Sequence, residues 1–130
     1  MPAHAIYDYA VIRVVPRVER EEFVNVGVIL SCHEQDFLQA AIEVDEARLR
    51  ALDPAIDLAL VRSHLEAIPR ICAGGEAAGP IGKLSPRERF RWLAAPRSTI
   101  IQVSPAHTGR SEDPAVALEH LVRTMVRTAK

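Results

Sequence analysis

The chain has 130 residues, 48% hydrophobic and 25% charged, with a formal net charge of -1. Those values suit one globular domain over residues 1–130 and argue against disorder. A near-neutral balance offers no basic footprint for nucleic acid or for a membrane surface.

Arginine outnumbers lysine fourteen to two. The bias fits a GC-rich genome or, alternatively, selection for the guanidinium fork in anion recognition. Cys32 and Cys72 both lie in apolar contexts and make no disulfide framework, which points to a reducing compartment. No signal-peptide pattern opens the chain and no run reaches the roughly 20 residues of a spanning helix, so a cytoplasmic protein is expected.

Ile6 to Val15 is β-rich and predicts a first strand. Pro16 to Glu21 is a short charged connection. Glu22 to Cys32 then predicts the central strand, with Val24, Val26, Val28, Leu30 and Cys32 apolar at period two. An antiparallel register that superimposes the two core faces sets Val14 by Val24, Ile12 by Val26 and Ala10 by Val28. It also sets Arg13 opposite Asn25 and Tyr9 diagonal to Gly27. An asparagine and a glycine inside a strand need a local reason.

His33 to Asp36 reads as a turn and Phe37 to Val44 as a third strand. Asp45 caps a short helix that ends before Pro54, and a longer helix runs from Asp57 to about Ile68, where Pro69 stops or kinks it. Ala73 to Gly82 holds four glycines and one proline in ten residues. It lacks the lysine and hydroxyl residue of a phosphate loop, and Pro80 and Glu76 oppose an anion there, so it reads as a connector. Ser85-Pro86-Arg87-Glu88 is a capping box with proline at the first helical position. The helix it starts carries Arg87 and Arg91 on one flank. Ile100 to Val103 predicts a fourth strand, Ser104 to Glu112 a polar turn, and Asp113-Pro114 the start of a closing helix with Leu118, Leu121, Val122 and Met125 on its buried side.

The expected fold is α+β: a mostly antiparallel four-stranded sheet ordered three, two, one, four, with helices packed on one face, the one lined by Val24, Val26, Val28 and Leu30. Five histidines and two cysteines form no zinc spacing, so no metal or other cofactor is expected. Ser98, His107 and Asp113 lack the elbow and oxyanion loop of a hydrolytic triad, and no catalytic residue is assigned. A ligand-binding set is assigned instead. Arg97, Ser98 and Thr99 offer a fork of donors and two hydroxyls for a carboxylate or phosphate, with His107 and Thr108 one strand and a turn away. The two groups meet only if that turn folds back.

Tyr7-Asp8-Tyr9, the Phe-Val-Asn-Val-Gly-Val core within Arg20 to Leu30, and Pro96 to Gln102 with the later His107-Thr108-Gly109 together resemble the bacterial domain of unknown function 3037 family. The likeness spans nearly the whole chain. It implies no reaction. It does imply a context, because genes of such proteins are often found beside genes for kinases of the HipA-like class, and with it a HipA-like kinase as partner.

Two functions are therefore carried forward. One is a non-enzymatic protein-interaction or regulatory module that binds a partner or itself through the second sheet face, with Tyr7, Tyr9, Arg13, Phe23, Asn25 and Gly27 as the interaction face. The other is a small anionic-ligand or nucleotide-binding protein, with weak enzymatic activity as a variant, using Arg97, Ser98 and Thr99 with His107 and Thr108. A flat dry contact over the sheet favours the first, and a concave polar pocket the second.

Overall fold

The computed structural model describes residues 4–97 and 99–127. Strands β1 (Ala5–Val14), β2 (Val24–Cys32) and β3 (Phe37–Ile42) form an antiparallel meander. Helices α1 (Glu46–Leu52) and α2 (Leu58–Ala73), a 3-10 segment (Glu76–Lys83) and α3 (Pro86–Ala94) follow. Strands β4 (Ile101–Val103) and β5 (His107–Ser111) and helix α4 (Pro114–Met125) complete the chain. The α+β class and the antiparallel order β3-β2-β1-β4 are those expected from the sequence, with β5 as an additional strand on β1.

The caps show why the helices begin where they do. Asp45 accepts a hydrogen bond from the Arg48 amide, Asp57 from Leu60, and Asp113 from Ala115 and Val116. Ser85 and Glu88 close both halves of the capping box. Each side chain satisfies a donor that the first helical turn leaves open.

The register differs from expectation in one place, and the difference reorganises the core. Val14 pairs with Val24 and Arg13 with Asn25, as expected, but Ile12 pairs with Gly27, Val11 with Val28 and Ala10 with Ile29. Val26 is the extra residue of a β-bulge. A one-residue slip moves every later side chain to the other face. Val24, Val26 and Ile29 therefore pack with Ile12 and Val14 against Leu49, Val61, Leu65, Phe90 and Leu93 of α1, α2 and α3. Val28, Leu30 and Cys32 pack on the opposite side against Leu118, Leu121 and Val122 of α4. Grouping on one face thus holds for α1 to α3, while α4 takes the other, because the alternation of β2 changes side at the bulge. Gly27 sits at that change. A Cβ there would lie 2.6 Å from the Ala41 carbonyl oxygen and 3.0 Å from Ile12 Cδ1.

On its other side β1 meets β4 and β5 as one interrupted edge, and this pairing also slips by one residue. Ser104, 2% exposed, fills the break. Its amide donates to the Val11 carbonyl at 2.9 Å and its Oγ accepts from the Val11 amide at 2.9 Å. The residues read as a polar turn include β5 because an outer strand with both faces near solvent shows no hydrophobic alternation. Gly109 in β5 lies under the Tyr7 ring, where a Cβ would fall 2.5 Å from Tyr7 Cζ.

Helix α2 runs through Pro69 to Ala73 instead of stopping. Its C-terminal end is held by Arg89, 8% exposed. Arg89 Nη1 donates to the carbonyls of Ile71 and Cys72, both at 2.7 Å, and Nε to that of Leu84 at 3.1 Å. A buried cation at a helix C-terminus answers both the open carbonyls and the dipole. Gly74, at φ +75°, passes so close that a Cβ would lie 2.8 Å from Arg89 Nη1. Burial pushes the neighbouring Cys72 thiol up to about 12, with Arg89 pulling the other way.

Two stability outcomes follow from these contacts. Arg89→Met leaves three carbonyls without their donor and is expected to cost roughly 3 kcal/mol, whereas Arg87→Gln on the same helix stays within about 0.5 kcal/mol. Urea unfolding measures both, and equal midpoints for the two variants contradict the capping role. Gly27→Ala forces a side chain against backbone and is expected to cost about 2 kcal/mol; an unchanged urea midpoint excludes the close approach.

Candidate functional site

The expected anion group is placed in two separate locations. Arg97 Nη1 donates to the carbonyls of Leu93 and Ala95, at 3.1 and 3.2 Å, and Nη2 to that of Trp92 at 2.8 Å. Its guanidinium also lies 4.5 Å from the centroid of the Trp92 ring. The fork is occupied in closing the C-terminus of α3. Thr99 Oγ1 donates to the Ile101 carbonyl at 2.7 Å. Ser98 lies outside the described residues. His107 stands opposite Tyr9 with ring centroids 5.4 Å apart, and Thr108 Oγ1 donates to Asp8 Oδ1 at 3.0 Å.

Strands β4 and β5 continue in one direction along β1, so no fold-back occurs. The Val15 amide bonds to Ile100 while Tyr9 pairs with His107, a separation of six strand residues or about 20 Å. Arg97 and Thr99 instead border an apolar pocket of about 210 Å³ with His64, Trp92, Ile101 and Val103.

The expected interaction face is shared between α4 and solvent. Tyr7 and Tyr9, with ring centroids 6.1 Å apart, pack against the α4 cluster. Burial, with Tyr9 alongside, raises the Tyr7 phenol above its ordinary value. Asn25 Nδ2 donates to the Met125 carbonyl at 3.1 Å. Phe23 remains 44% exposed, with the Arg13 guanidinium 4.2 Å from its ring centroid. Gly27 does not belong to this face. The bulge turns it toward Ile12 and Ile42.

Arg13 Nε and Asn25 Oδ1 are buried with no hydrogen-bond partner among the described residues. The two side chains are cross-strand neighbours and of complementary type, a donor and an acceptor.

The end of α4 is held by charge as well. Arg127 Nε and Nη2 reach the two Glu43 carboxylate oxygens at 2.8 and 2.6 Å, and Nη1 reaches Glu119 at 2.8 Å. The Arg127 hydrogen bonds hold the Glu43 carboxyl below its usual range. Glu43 and Arg127 border a cleft of about 460 Å³ with Asp45, Glu46 and Val126, but its cation is already shared between two carboxylates.

Two further features were not read from the sequence. The first is the outer edge of β3, which no other strand covers among the described residues. The Glu43 amide bonds inward to the Val26 carbonyl, so by antiparallel alternation the backbone groups of Leu38, Ala40 and Ile42 point outward. Beside this edge a groove of about 210 Å³ runs between Ile42, Val44, Leu65 and Pro69. The second is a cleft of about 450 Å³ at the end of the sheet under α3, walled by Arg87 and Arg91 on one side and by Asp8, Ser31, His33 and Glu34 on the other. The Arg87–Arg91 spacing was the available signal for it. What hid the site was that the opposing wall comes from β1 and from the end of β2 with its turn, both distant from α3 in the sequence.

Among the described residues no three His, Cys, Asp or Glu side chains gather as a metal site, and no helix is long and apolar enough to cross a membrane.

Asn25→Ala removes the bond to Met125 while also removing an unpaired oxygen, so global stability is expected to fall by only about 1 kcal/mol. Amide exchange in the last turn of α4 is expected to speed up while that of α2 does not. Uniform acceleration across both helices rules out the local role.

No curated protein and no solved structure matches the chain. One family does, described as a protein of unknown function (DUF3037), over residues 9–126. That span runs from Tyr9 in β1 past the end of α4, and so takes in both bulges, the outer β3 edge and all four helices. The chain belongs to the DUF3037 family.

Proposed function

We propose that this protein is a non-enzymatic interaction module that receives an extended segment of a partner protein as a new strand on β3. The observation that carries this reading is the character of that edge. Outer strands are ordinarily blunted by lysine, proline or a bulge. Phe37–Ile42 contains no charge and no proline. The opposite edge is interrupted at Ser104 and Pro105 and carries Arg110.

An added strand would bond to the outward backbone groups of Leu38, Ala40 and Ile42, and its alternate side chains would drop into the groove beside Leu65 and Pro69. Pro69 lacks the amide that would bond the Leu65 carbonyl, so this groove has a spare acceptor in its wall. Backbone pairing supplies affinity and the groove supplies the choice of side chain. The partner is thus a chain with an exposed extended segment carrying apolar residues at alternate positions. A HipA-like kinase, implied by the family context, is the first to test.

Ala40→Pro tests the edge, because it removes an outward-facing amide and leaves the β2 ladder intact. Tagged wild type, Ala40→Pro and Arg110→Glu are used to capture a co-expressed HipA-like kinase and proteins from the source organism. The expected result is a specific partner held by wild type and Arg110→Glu but lost at least tenfold in Ala40→Pro, with similar melting temperatures. Equal capture by all three removes the edge from the function, and a wild type that holds no partner removes the module.

A further inference from the structure

The cleft under α3 carries chemistry that strand addition at β3 does not use. Arg87 and Arg91 lie four residues apart on one flank of α3. Neither forms an ion pair or hydrogen bond among the described residues, whereas Arg17, Arg20, Arg50, Arg62, Arg70 and Arg127 each meet a glutamate. Like charges at this spacing repel by a few tenths of a kcal/mol. An anion between them converts that repulsion into attraction.

The remaining walls define the rest of the ligand. Phe90, buried, and Ile6, 49% exposed, make an apolar floor. Asp8 has one oxygen bonded to Thr108 Oγ1, and its Oδ2 makes no hydrogen bond among the described residues. Ser31 stands opposite it across β1 and β2, and Glu34 also lines the cleft.

We infer that this cleft binds a phosphate monoester with a hydroxylated body, the phosphate between Arg87 and Arg91 and a hydroxyl of the body on Asp8. A carboxylate offers two guanidinium forks about one negative charge and acceptor sites in a single plane, whereas a phosphate monoester offers nearly two charges and three terminal oxygens arranged in three dimensions, and so matches two separate forks better. The carboxylates of Asp8 and Glu34 repel a second anionic group, so the ligand has one anionic head and a donor-bearing body. A volume of about 450 Å³ falls within the range of small-molecule sites and admits either a nucleoside monophosphate or a sugar phosphate.

Calorimetric titration of the full chain at low salt with inorganic phosphate, adenosine 5′-monophosphate, glucose 6-phosphate, adenosine and succinate tests the site. At least one of the two esters is expected to bind more tightly than inorganic phosphate, with adenosine and succinate at least tenfold weaker. Which ester wins identifies the body. Arg87→Gln and Arg91→Gln are each expected to weaken the ester about tenfold or more without moving the melting temperature. Asp8→Asn weakens the ester but not inorganic phosphate. Ala40→Pro leaves all of these affinities unchanged, which separates this cleft from the β3 edge. Absence of ester binding, equal binding of succinate or adenosine, or wild-type affinity in the double Arg87→Gln, Arg91→Gln variant overturns the inference.

Discussion

The bulge at Val26 is the constraint on which the rest of the structure depends. Without it, Val24, Val26, Val28, Leu30 and Cys32 would all face one way, and the other side of β2 would offer α4 only Asn25, Gly27, Ile29 and Ser31. With it, each side of the strand receives its own apolar set, and one strand serves two cores. Gly27 makes the slip sterically possible, since its missing side chain admits the Ala41 carbonyl and Ile12 into the space where a Cβ would stand. A second slip, filled by Ser104, falls on the other side of the same stretch of β1. Two bulges flanking one segment raise its local twist.

The arginines illustrate how one residue type divides into different physical tasks. Arg89 and Arg97 both direct their guanidinium groups at carbonyls near helix C-termini, one tying α3 to α2 and the other closing α3 on itself. Arg127 forks onto Glu43 and so fixes the end of α4 to the end of β3. Arg13 lies over an aromatic ring. Only after these are assigned does the Arg87 and Arg91 pair stand out as charge facing a cavity with no partner among the described residues. Composition alone shows the abundance of arginine and cannot sort it.

Much of the fold was legible because local chemistry decided it. The Ser85 to Glu88 box, the aspartate caps and the meander order were set by short-range signals, and Val14–Val24 and Arg13–Asn25 lie on the side of the bulge where the simple register holds. Beyond the bulge the alternation misleads. The apolar residues at even positions run unbroken from Val24 to Cys32 straight through the slip, so hydrophobic parity contains no mark of where the chain changes side. Strand β5 escaped because its outward side chains are polar, and Arg89 because an arginine in a helix reads as surface. The binding groups were the least legible part. Linking Arg97 to His107 required a turn to fold back, whereas Ser104 and its pairing with Val11 carry the chain straight on.

The glycine and asparagine in the centre of β2 turn out to have unrelated causes. Gly27 answers to the bulge, on the side of α1 to α3, whereas Asn25 answers to α4, whose last carbonyl it holds. The face they were expected to share is therefore largely an internal packing surface, closed by α4 and fastened by Asn25, Arg48 and Arg127. Surface available to other molecules lies elsewhere, at the β3 edge and in the cleft under α3. Those two regions share the turn from β2 to β3, since His33 and Glu34 line the cleft and β3 begins at Phe37. The turn is closed by the Asp36 amide on the His33 carbonyl at 3.1 Å, with Asp36 at φ +49°. One hydrogen-bonded turn of four residues therefore joins the two surfaces, and Asp36 is of a type that enters the left-handed region at little cost.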